Sequence, residues 1–473
     1  MNFILNIFNY TALLLIFLIL IISPIPYGSV EEWAKLLFQL ESFFLLLLVS
    51  ILVIFSDKSL KIPNNKVFWS LVGFFLLLIA QIVPLPSEII KIISKSTYSI
   101  WYANQELFSQ IGVVQNKNFF TISLHPFASY KEILLLLAYF SFGISAAFFL
   151  NNKNRIKYLI YLVFLITFSE SFIGIYQSIY IGDFSTGTYV NRNHFAGFLE
   201  LTIFLLIGYS LGQRDYSQKL EDSDKSAYIK EILSSDRIFK QITLIIIISF
   251  VGIALFTSQS RMAIFSFLVT SVLMFVLVKR FSKNSPVDRI IVAFGILLTL
   301  IYVFFISFYP LIQKFVESIK DAPGRTTIWK DSLRIFLDFP VFGTGIDTFR
   351  DIYPHYKSLE IASRINFPHN DYIQLLVETG IIGFVFIMTA LYFLIKFSLQ
   401  KITYYFNKRD YFAAYIRLGA FCGIVSILIH SLVDFNLHIP ANAIYFALLI
   451  GIIFSDFNGE DTQDMNLVVR KEF

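Results

Sequence analysis

Charged residues are scarce in this sequence, and cysteine is almost absent. Asp, Glu, Lys and Arg make up 15% of the 473 residues, whereas soluble globular proteins have about 25%. Hydrophobic residues make up 56% and the mean hydropathy is +0.68, which excludes a soluble globular protein. The one cysteine, Cys422, lies in an apolar run, so an intramolecular disulfide and a cysteine-based metal cluster are excluded. The net charge of +5 gives no argument for nucleic-acid binding.

Long apolar runs recur along the chain, each close to the 17–25 residues that cross a bilayer as a helix. They lie at about 4–22, 34–55, 67–83, 131–150, 156–180, 194–213, 240–258, 261–279, 289–308, 371–397, 411–434 and 440–456. We therefore predict an all-α, polytopic membrane protein with about twelve transmembrane helices. The last two runs are short and closely joined, so a count of eleven stays open. The first run has no basic segment before it and no cleavage site, so we expect it to stay as a span.

Lysine and arginine cluster in alternate short connections, near 58–66, 153–157, 214–240, 279–289 and 396–417. Such connections face the cytoplasm in membrane proteins, so we expect both termini to be cytoplasmic. Two long connections, 84–130 and 309–370, then lie outside the membrane, and we expect the second to form a helical extracytoplasmic cap. The whole chain, 1–473, is predicted to form a single integral membrane domain.

Two arginines break this charge pattern. Arg192 and Arg261 lie in short outer turns, at the outer ends of predicted spans, where basic residues are not expected. Arginine is a planar, permanently charged donor that suits phosphate oxygens, so the pair could bind an anionic head group such as a lipid-linked diphosphate. The alternative is that each arginine pairs with a buried carboxylate, for example Glu170 or Glu200, and only fixes helix packing.

The outer segment 309–370 has a pattern of its own. Residues 325–338 place several apolar side chains on one helical face, which predicts an amphipathic helix along the membrane surface. Phe339-Pro340 ends this helix, and Gly343-Thr344-Gly345 predicts a tight turn before a second short helix near 348–357. No strand precedes this Gly-x-Gly and no lysine follows it at phosphate-loop spacing, so we interpret it as structural.

A polar segment precedes the tenth apolar run and contains His369. An imidazole has an ordinary pKa of about 6.5, so a histidine at the aqueous boundary could act as a base near neutral pH. Asp371 is close enough in sequence to orient this ring. Asp371, Gln374 and Glu378 share one helical face, and Glu378 could either take part in chemistry or make an ordinary polar helix contact.

A second polar group lies near the chain end, where His430, Asp434 and His438 are four residues apart. Helical spacing would stack them, but a zinc site needs a further ligand, and none is close by in sequence. Pro440 also predicts that the helix ends before His438, because proline removes a helical hydrogen bond and clashes with the preceding turn. Polar packing or support of a nearby site is therefore the favoured interpretation.

Four motifs occur in a characteristic order: Asn191-Arg192-Asn193-His194-Phe195-Ala196; Ser258-Gln259-Ser260-Arg261; Gly324-Arg325-Thr326-Thr327-Ile328-Trp329 leading to Pro340-Val341-Phe342-Gly343-Thr344-Gly345; and Pro368-His369-Asn370-Asp371-Tyr372 leading to Glu378-Thr379-Gly380. In this order, and with a long outer loop between the ninth and tenth spans, they resemble the O-antigen ligase and polymerase superfamily over about 185–440. Residues 1–180 are similar to it only in hydropathy.

The resemblance implies a glycosyltransferase of the bacterial inner membrane, acting in lipopolysaccharide or other surface polysaccharide synthesis. Such enzymes move a glycan from undecaprenyl diphosphate to an acceptor, for example lipid A-core, on the extracytoplasmic side. By resemblance, Arg192 and Arg261 contact the diphosphate, Arg325 is a loop arginine of the same group, and His369 activates the acceptor hydroxyl. Arginines that stabilise the departing diphosphate leave no need for a metal or another cofactor.

Three functions stay open at this stage. A ligase transfers a finished glycan to a terminal acceptor, whereas a polymerase transfers a growing chain to one more lipid-linked repeat unit. The compact helical outer loop favours the ligase. A membrane transporter is the third possibility, since there are about twelve spans with intramembrane acids. Against a transporter, no pair of Gly/Pro-interrupted spans occupies matching positions in two halves of the chain.

Overall fold

The structure is a computed structural model that describes residues 2–55, 65–111, 118–213, 236–281, 324–358 and 364–457. The long helices are α1 (Asn2–Ile22), α2 (Glu32–Phe55), α3 (Asn65–Ile82), α6 (Pro126–Phe149), α7 (Lys153–Tyr176, continued by a π-helical turn Gln177–Ile181), α8 (Arg192–Gly212), α9 (Asp236–Thr257), α10 (Arg261–Phe281), α13 (Asp371–Asn407), α14 (Tyr411–His430) and α15 (Pro440–Phe454). Between them lie β1 (Leu85–Pro86), α4 (Ser87–Ile93), α5 (Lys95–Gln110), β2 (Phe119–Phe120), α11 (324–338) and α12 (Phe349–Ile352). Single 3-10 turns occur at Tyr353–His355 and Asn436–His438.

The all-α, polytopic class is confirmed. Eight described helices are long and apolar enough to cross a membrane, and three shorter apolar helices, α3, α9 and α15, accompany them. These eleven helices overlap eleven of the twelve predicted spans, while the predicted span 289–308 lies outside the described residues. The strands that the structure describes form one short antiparallel pair, in which Leu85 lies opposite Phe120.

Helices α8 and α14 form the centre of the bundle, and most of the residues of each are buried. Glycines let the two backbones touch: a Cβ on Gly208 would lie 2.4 Å from the carbonyl oxygen of Tyr415, and one on Gly419 would lie 2.4 Å from that of Phe204. Small residues at helix contacts are typical of membrane proteins, where close backbone approach replaces the hydrophobic effect as a source of stability. The residues that follow α14 and begin α8 are therefore held at a fixed separation.

Residues 84–111, 118–125 and 324–358 pack together over one end of the bundle, and we call them the cap. Its apolar contacts include Ile335, Phe349 and Tyr353, which cluster with Val377 of α13. The predicted amphipathic helix is confirmed as α11, and the predicted second helix as α12 with its 3-10 turn. Parts of the predicted outer loop, 309–323 and 359–363, lie outside the described residues.

The predicted turn at Gly343-Thr344-Gly345 is confirmed, with φ of 70° and 106° at the two glycines. It fits against Gly380, which has φ of 62° and interrupts the helical backbone of α13. Glycine is required there because a Cβ on Gly380 would lie 2.3 Å from the carbonyl oxygen of Val341. This contact between two glycine-containing segments attaches the cap to α13.

Glu378 completes the same attachment. Its two carboxylate oxygens accept hydrogen bonds from the backbone N–H groups of Asp347 (3.0 Å) and Phe349 (3.1 Å), and Gln374 Nε2 donates to it from one turn earlier (3.1 Å). Gln81 of α3 donates to the carbonyl oxygens of Phe342 (2.7 Å) and Glu378 (2.8 Å). Glu378 thus makes the polar helix contact that the sequence left as one of its two interpretations.

Candidate active site

Asp434 lies at the cap end of the bundle, in the turn between α14 and α15. Its side chain is 1% exposed. Oδ2 accepts a hydrogen bond from Asn193 Nδ2 at 2.7 Å, and Oδ1 accepts one from the backbone N–H of Phe435 at 2.9 Å. The helix ends at His430, as Pro440 predicted, so His430, Asp434 and His438 do not form one helical stack. The turn instead directs the Asp434 carboxylate toward the start of α8.

Two imidazoles face the same oxygen of this carboxylate. His194 Nε2 and His369 Nδ1 each lie 3.7 Å from Asp434 Oδ1. Neither contact is as short as a hydrogen bond, and such contacts in substrate-free sites often tighten when substrate binds. The two rings also meet the ring of Phe435, with centroids 4.7 and 5.0 Å apart. His194 is buried, whereas His369 is 32% exposed and is the one that a substrate can reach.

The charge on Asp434 follows from these neighbours. Burial alone would raise the pKa of Asp434, but the interactions with His194 and His369 outweigh it and hold this pKa well below its usual range. Asp434 is therefore ionised throughout the neutral pH range. An ionised carboxylate beside His369 Nδ1 favours a proton on that nitrogen, which leaves the lone pair on Nε2 for a reacting group.

His369 has a left-handed backbone conformation with φ of 54°, which is uncommon for a residue with a side chain. Its neighbours hold this conformation in place. Trp329 Nε1 donates to the carbonyl oxygen of Pro368 at 2.9 Å, and Asn370 Nδ2 donates to that of Leu432 at 2.6 Å. Asn370 also caps α13, where Oδ1 accepts from two backbone N–H groups of the first turn. Strained residues fixed from both sides are common at functional sites.

Arg325 lies beside Asp434, and Arg192 is close enough to interact with both Arg325 and Arg261. Arg325 Nη1 donates to the carbonyl oxygen of Val433 at 2.9 Å, and its Nη2 lies 3.9 Å from Asp434 Oδ2. Arg192 begins α8 and stacks over the ring of Phe184 at 4.0 Å. It is close enough to Arg261 and Arg325 to be repelled by both. A concentration of positive charge of this kind is suited to a multiply charged anion.

The acids named as alternative partners of these arginines have other contacts. Glu170 accepts hydrogen bonds from the hydroxyl (2.8 Å) and backbone N–H (2.9 Å) of Thr188. Glu200 Oε2 lies 3.2 Å from His430 Nδ1, and its other oxygen accepts a hydrogen bond from Ser266. Arg192 Nη1 is buried and has no hydrogen-bond partner among the described residues. The arrangement leaves this donor available to a ligand.

Asp371 pairs with a different histidine from the one that the sequence suggested. Its Oδ1 lies 2.8 Å from His438 Nδ1. Burial lowers the pKa of His438, but the hydrogen bond and charge of Asp371 more than offset this and raise it to about 9. The carboxylate beside His369 is thus Asp434, while Asp371 joins the start of α13 to the turn before α15. Within the described part of the chain, no group of three or more His, Cys, Asp or Glu side chains could hold a metal ion.

Residues 244–388 match the family model described as O-antigen ligase. No curated protein matches the sequence significantly. The matched range covers less than half of the chain and contains Arg261, Arg325, His369 and Glu378, so this part of the chain is similar to the O-antigen ligase family.

Proposed function

We propose that this protein is an O-antigen ligase-like glycosyltransferase. It moves a glycan from an undecaprenyl-diphosphate carrier to the hydroxyl of an acceptor, either lipid A-core or another surface glycan. The observation that carries the proposal is the His369–Asp434 pair, which lies beside Arg325 at the cap end of the bundle. This arrangement combines a partly exposed base with cations that suit a diphosphate.

In the proposed step, His369 Nε2 takes the proton of the acceptor hydroxyl. The acceptor oxygen forms a bond to the anomeric carbon of the glycan, and the bond from that carbon to the diphosphate oxygen breaks. The diphosphate leaves with the bonding electrons, and Arg192, Arg261 and Arg325 stabilise its charge. Asp434 stabilises the imidazolium that forms, as an orienting carboxylate does beside other catalytic histidines. A single displacement of this kind inverts the anomeric centre.

The proposed orientation places the cap outside the cytoplasm. Its support is charge placement, because Lys153 and Arg155 begin α7 and Lys408 and Arg409 follow α13, all at the opposite end. The native Cys422 is buried, so a thiol introduced at an exposed site gives the main labelling signal. We expect an impermeant thiol reagent added to intact cells to label a cysteine at Arg334, which is 63% exposed in the cap, but not one at the exposed Asn154. The opposite pattern contradicts the orientation.

Transfer by purified protein tests the activity itself. We expect wild-type protein to move glycan from an undecaprenyl-diphosphate donor to lipid A-core, and His369→Ala to reduce the rate by roughly 10²–10⁴-fold, the usual range for a positioned base. Donor binding should persist in this variant, because the arginines provide it. His369→Gln is the matched control for side-chain size.

The pH dependence and the product distinguish the alternatives. A base must be neutral, so the wild-type transfer rate should fall in acid if His369 is the base. If His369 instead bound phosphate as a cation, it would have to be protonated, and the transfer rate would fall in alkali. Activity of His369→Gln close to wild type excludes the base. A product in which the glycan is transferred to a second lipid-linked unit, with none on lipid A-core, assigns the protein to the polymerases.

A further inference from the structure

A cavity of about 640 Å³ lies at the end of the bundle opposite the cap. Its wall is formed by one face of α1, by the start of α7 and by a residue three positions beyond the end of α15: Tyr10, Leu13, Phe17, Asn152, Lys153, Asn154, Arg155, Tyr158 and Phe457. Both α1 and α7 run from this end toward the cap end, where Thr188 donates to the carbonyl oxygen of Pro24 at 2.8 Å. The cavity is therefore well separated from Asp434 and takes no part in the proposed transfer.

The wall changes character with depth. Lys153 and Arg155 lie at the very start of α7, with exposed Tyr10 and Tyr158 nearby, as is typical of side chains at a membrane surface. Leu13 and then Phe17 follow Tyr10 along one face of α1, so the apolar wall extends about 10 Å toward the middle of the bundle. The cavity thus has cations at the surface and hydrocarbon below them.

The two cations are held in position. Arg155 Nη1 donates to the carbonyl oxygen of Phe149 at 2.9 Å and to Asn151 Oδ1 at 3.1 Å. Lys153 Nζ lies 2.8 Å from Asp410, so part of its charge is neutralised. Asn152 caps α7 by accepting from the backbone N–H of Arg155, and the positive end of the helix dipole adds to the field at the same place.

We propose that this cavity binds an anionic phospholipid, with the phosphate beside Arg155 and Lys153 and an acyl chain against Leu13 and Phe17. Basic pockets between transmembrane helices are a known way of holding anionic head groups. A soluble phosphate shares the head-group chemistry, but it would leave the apolar wall unoccupied. The volume is within the range of ordinary ligand sites, so a head group with the upper part of one chain fits.

Lipid retention tests this proposal. Purified protein is incubated with equal amounts of phosphatidylglycerol and phosphatidylcholine, and the lipid that stays bound is counted by native mass spectrometry. We expect wild-type protein to retain phosphatidylglycerol preferentially. Each of Lys153→Gln and Arg155→Gln should reduce this preference about fivefold, the usual contribution of one cation near a charged membrane surface. Lys157→Gln, on the same helix but outside the cavity wall, should leave the preference unchanged.

Two further arms complete the test. Inorganic phosphate at millimolar concentration should not displace the bound phosphatidylglycerol, and displacement by it would show an anion site without lipid specificity. Arg155→Lys keeps the positive charge and replaces Arg155→Gln in the experiment if the glutamine variant does not fold. It should retain the preference for phosphatidylglycerol. An equal loss in Lys157→Gln, or no preference in wild-type protein, overturns the proposal.

Discussion

Asp434→Asn is the most informative single change at the proposed site. The amide has nearly the size of the carboxylate, and it removes the negative charge. It keeps one acceptor oxygen, so it can accept a hydrogen bond from Asn193 or from Phe435 but not from both, since these donors bond to different oxygens of Asp434. In the proposed step His369 is neutral before proton transfer and positive after it. Asp434 therefore stabilises the transition state more than the ground state, and its loss should lower kcat with little change in KM.

The distance between His369 and Asp434 gives the size of the expected loss of rate. Unit charges 3.7 Å apart, the separation of His369 Nδ1 and Asp434 Oδ1, attract by about 4 kcal/mol at an effective dielectric constant of about 20. His369 is 32% exposed, and solvent screening at this site leaves roughly half of that, about 2 kcal/mol. A change of this size in the activation free energy lowers the rate about 30-fold.

The assay is initial transfer rate against pH at saturating donor and acceptor. Without the carboxylate, the imidazolium that forms on proton transfer is less stable, so the maximal transfer rate should be lower in Asp434→Asn. Asp331→Asn is the control, because Asp331 is also 1% exposed but pairs with Arg334 within the cap. An unchanged kcat would refute the reasoning, as would an equal loss of rate in Asp331→Asn.

Three other predictions concern the cations, the cap and the turn before α15. Arg261→Ala protein should be extracted from the membrane in normal amounts, but its transfer rate should fall at least about 10²-fold. Arg261→Lys should recover only part of this rate, because lysine cannot make the bidentate contact of arginine. Full activity of the alanine variant would contradict the diphosphate role. Gly380→Ala should lower the free energy of unfolding by more than about 2 kcal/mol in thermal denaturation, because φ at Gly380 is 62° and the new Cβ would clash with Val341. In the control Gly252→Ala, the new Cβ has no atom within 4 Å, so this variant should unfold at the wild-type temperature. The raised pKa of His438 stabilises the fold fully below about pH 6.5, and this stabilisation is lost as pH rises through about 9. His438→Gln should therefore lower Tm most in acid and no longer lower it above about pH 10. A Tm difference that stays constant with pH would refute the ion pair.

Hydropathy was enough to predict the bundle, because each span needs only a long apolar run and its own helical hydrogen bonds. The cap helix α11 was predictable from apolar spacing, and the turn at Gly343 from its glycines. Burial within the bundle was not predictable, because apolar side chains facing lipid and those facing other helices look alike in a sequence. The central position of α8 therefore came only from the structure.

The candidate site was predicted in part. His369 and the arginines stand out because charged and titratable groups at the ends of spans are rare. The partner of His369 could not be predicted from its neighbours, since Asp371 is nearer in sequence but turns toward His438. Asp434 reaches the site because the chain leaves the helix after His430, and His194 reaches it from the start of α8. The motif around Arg192 contained His194, but nothing in its spacing indicated which carboxylate it would face.

The buried pair beneath the site explains how these distant residues keep their positions. Glu200 of α8 and His430 of α14 are both fully buried and lie 3.2 Å apart. Such a pair is costly unless its geometry is fixed, so it favours one register of the two helices over alternatives in which either group is left unpaired. His194 lies on α8 six residues before Glu200, and Asp434 lies four residues after His430, in the turn that follows α14. A register that satisfies the pair therefore also sets the distance between the His194 imidazole and the Asp434 carboxylate.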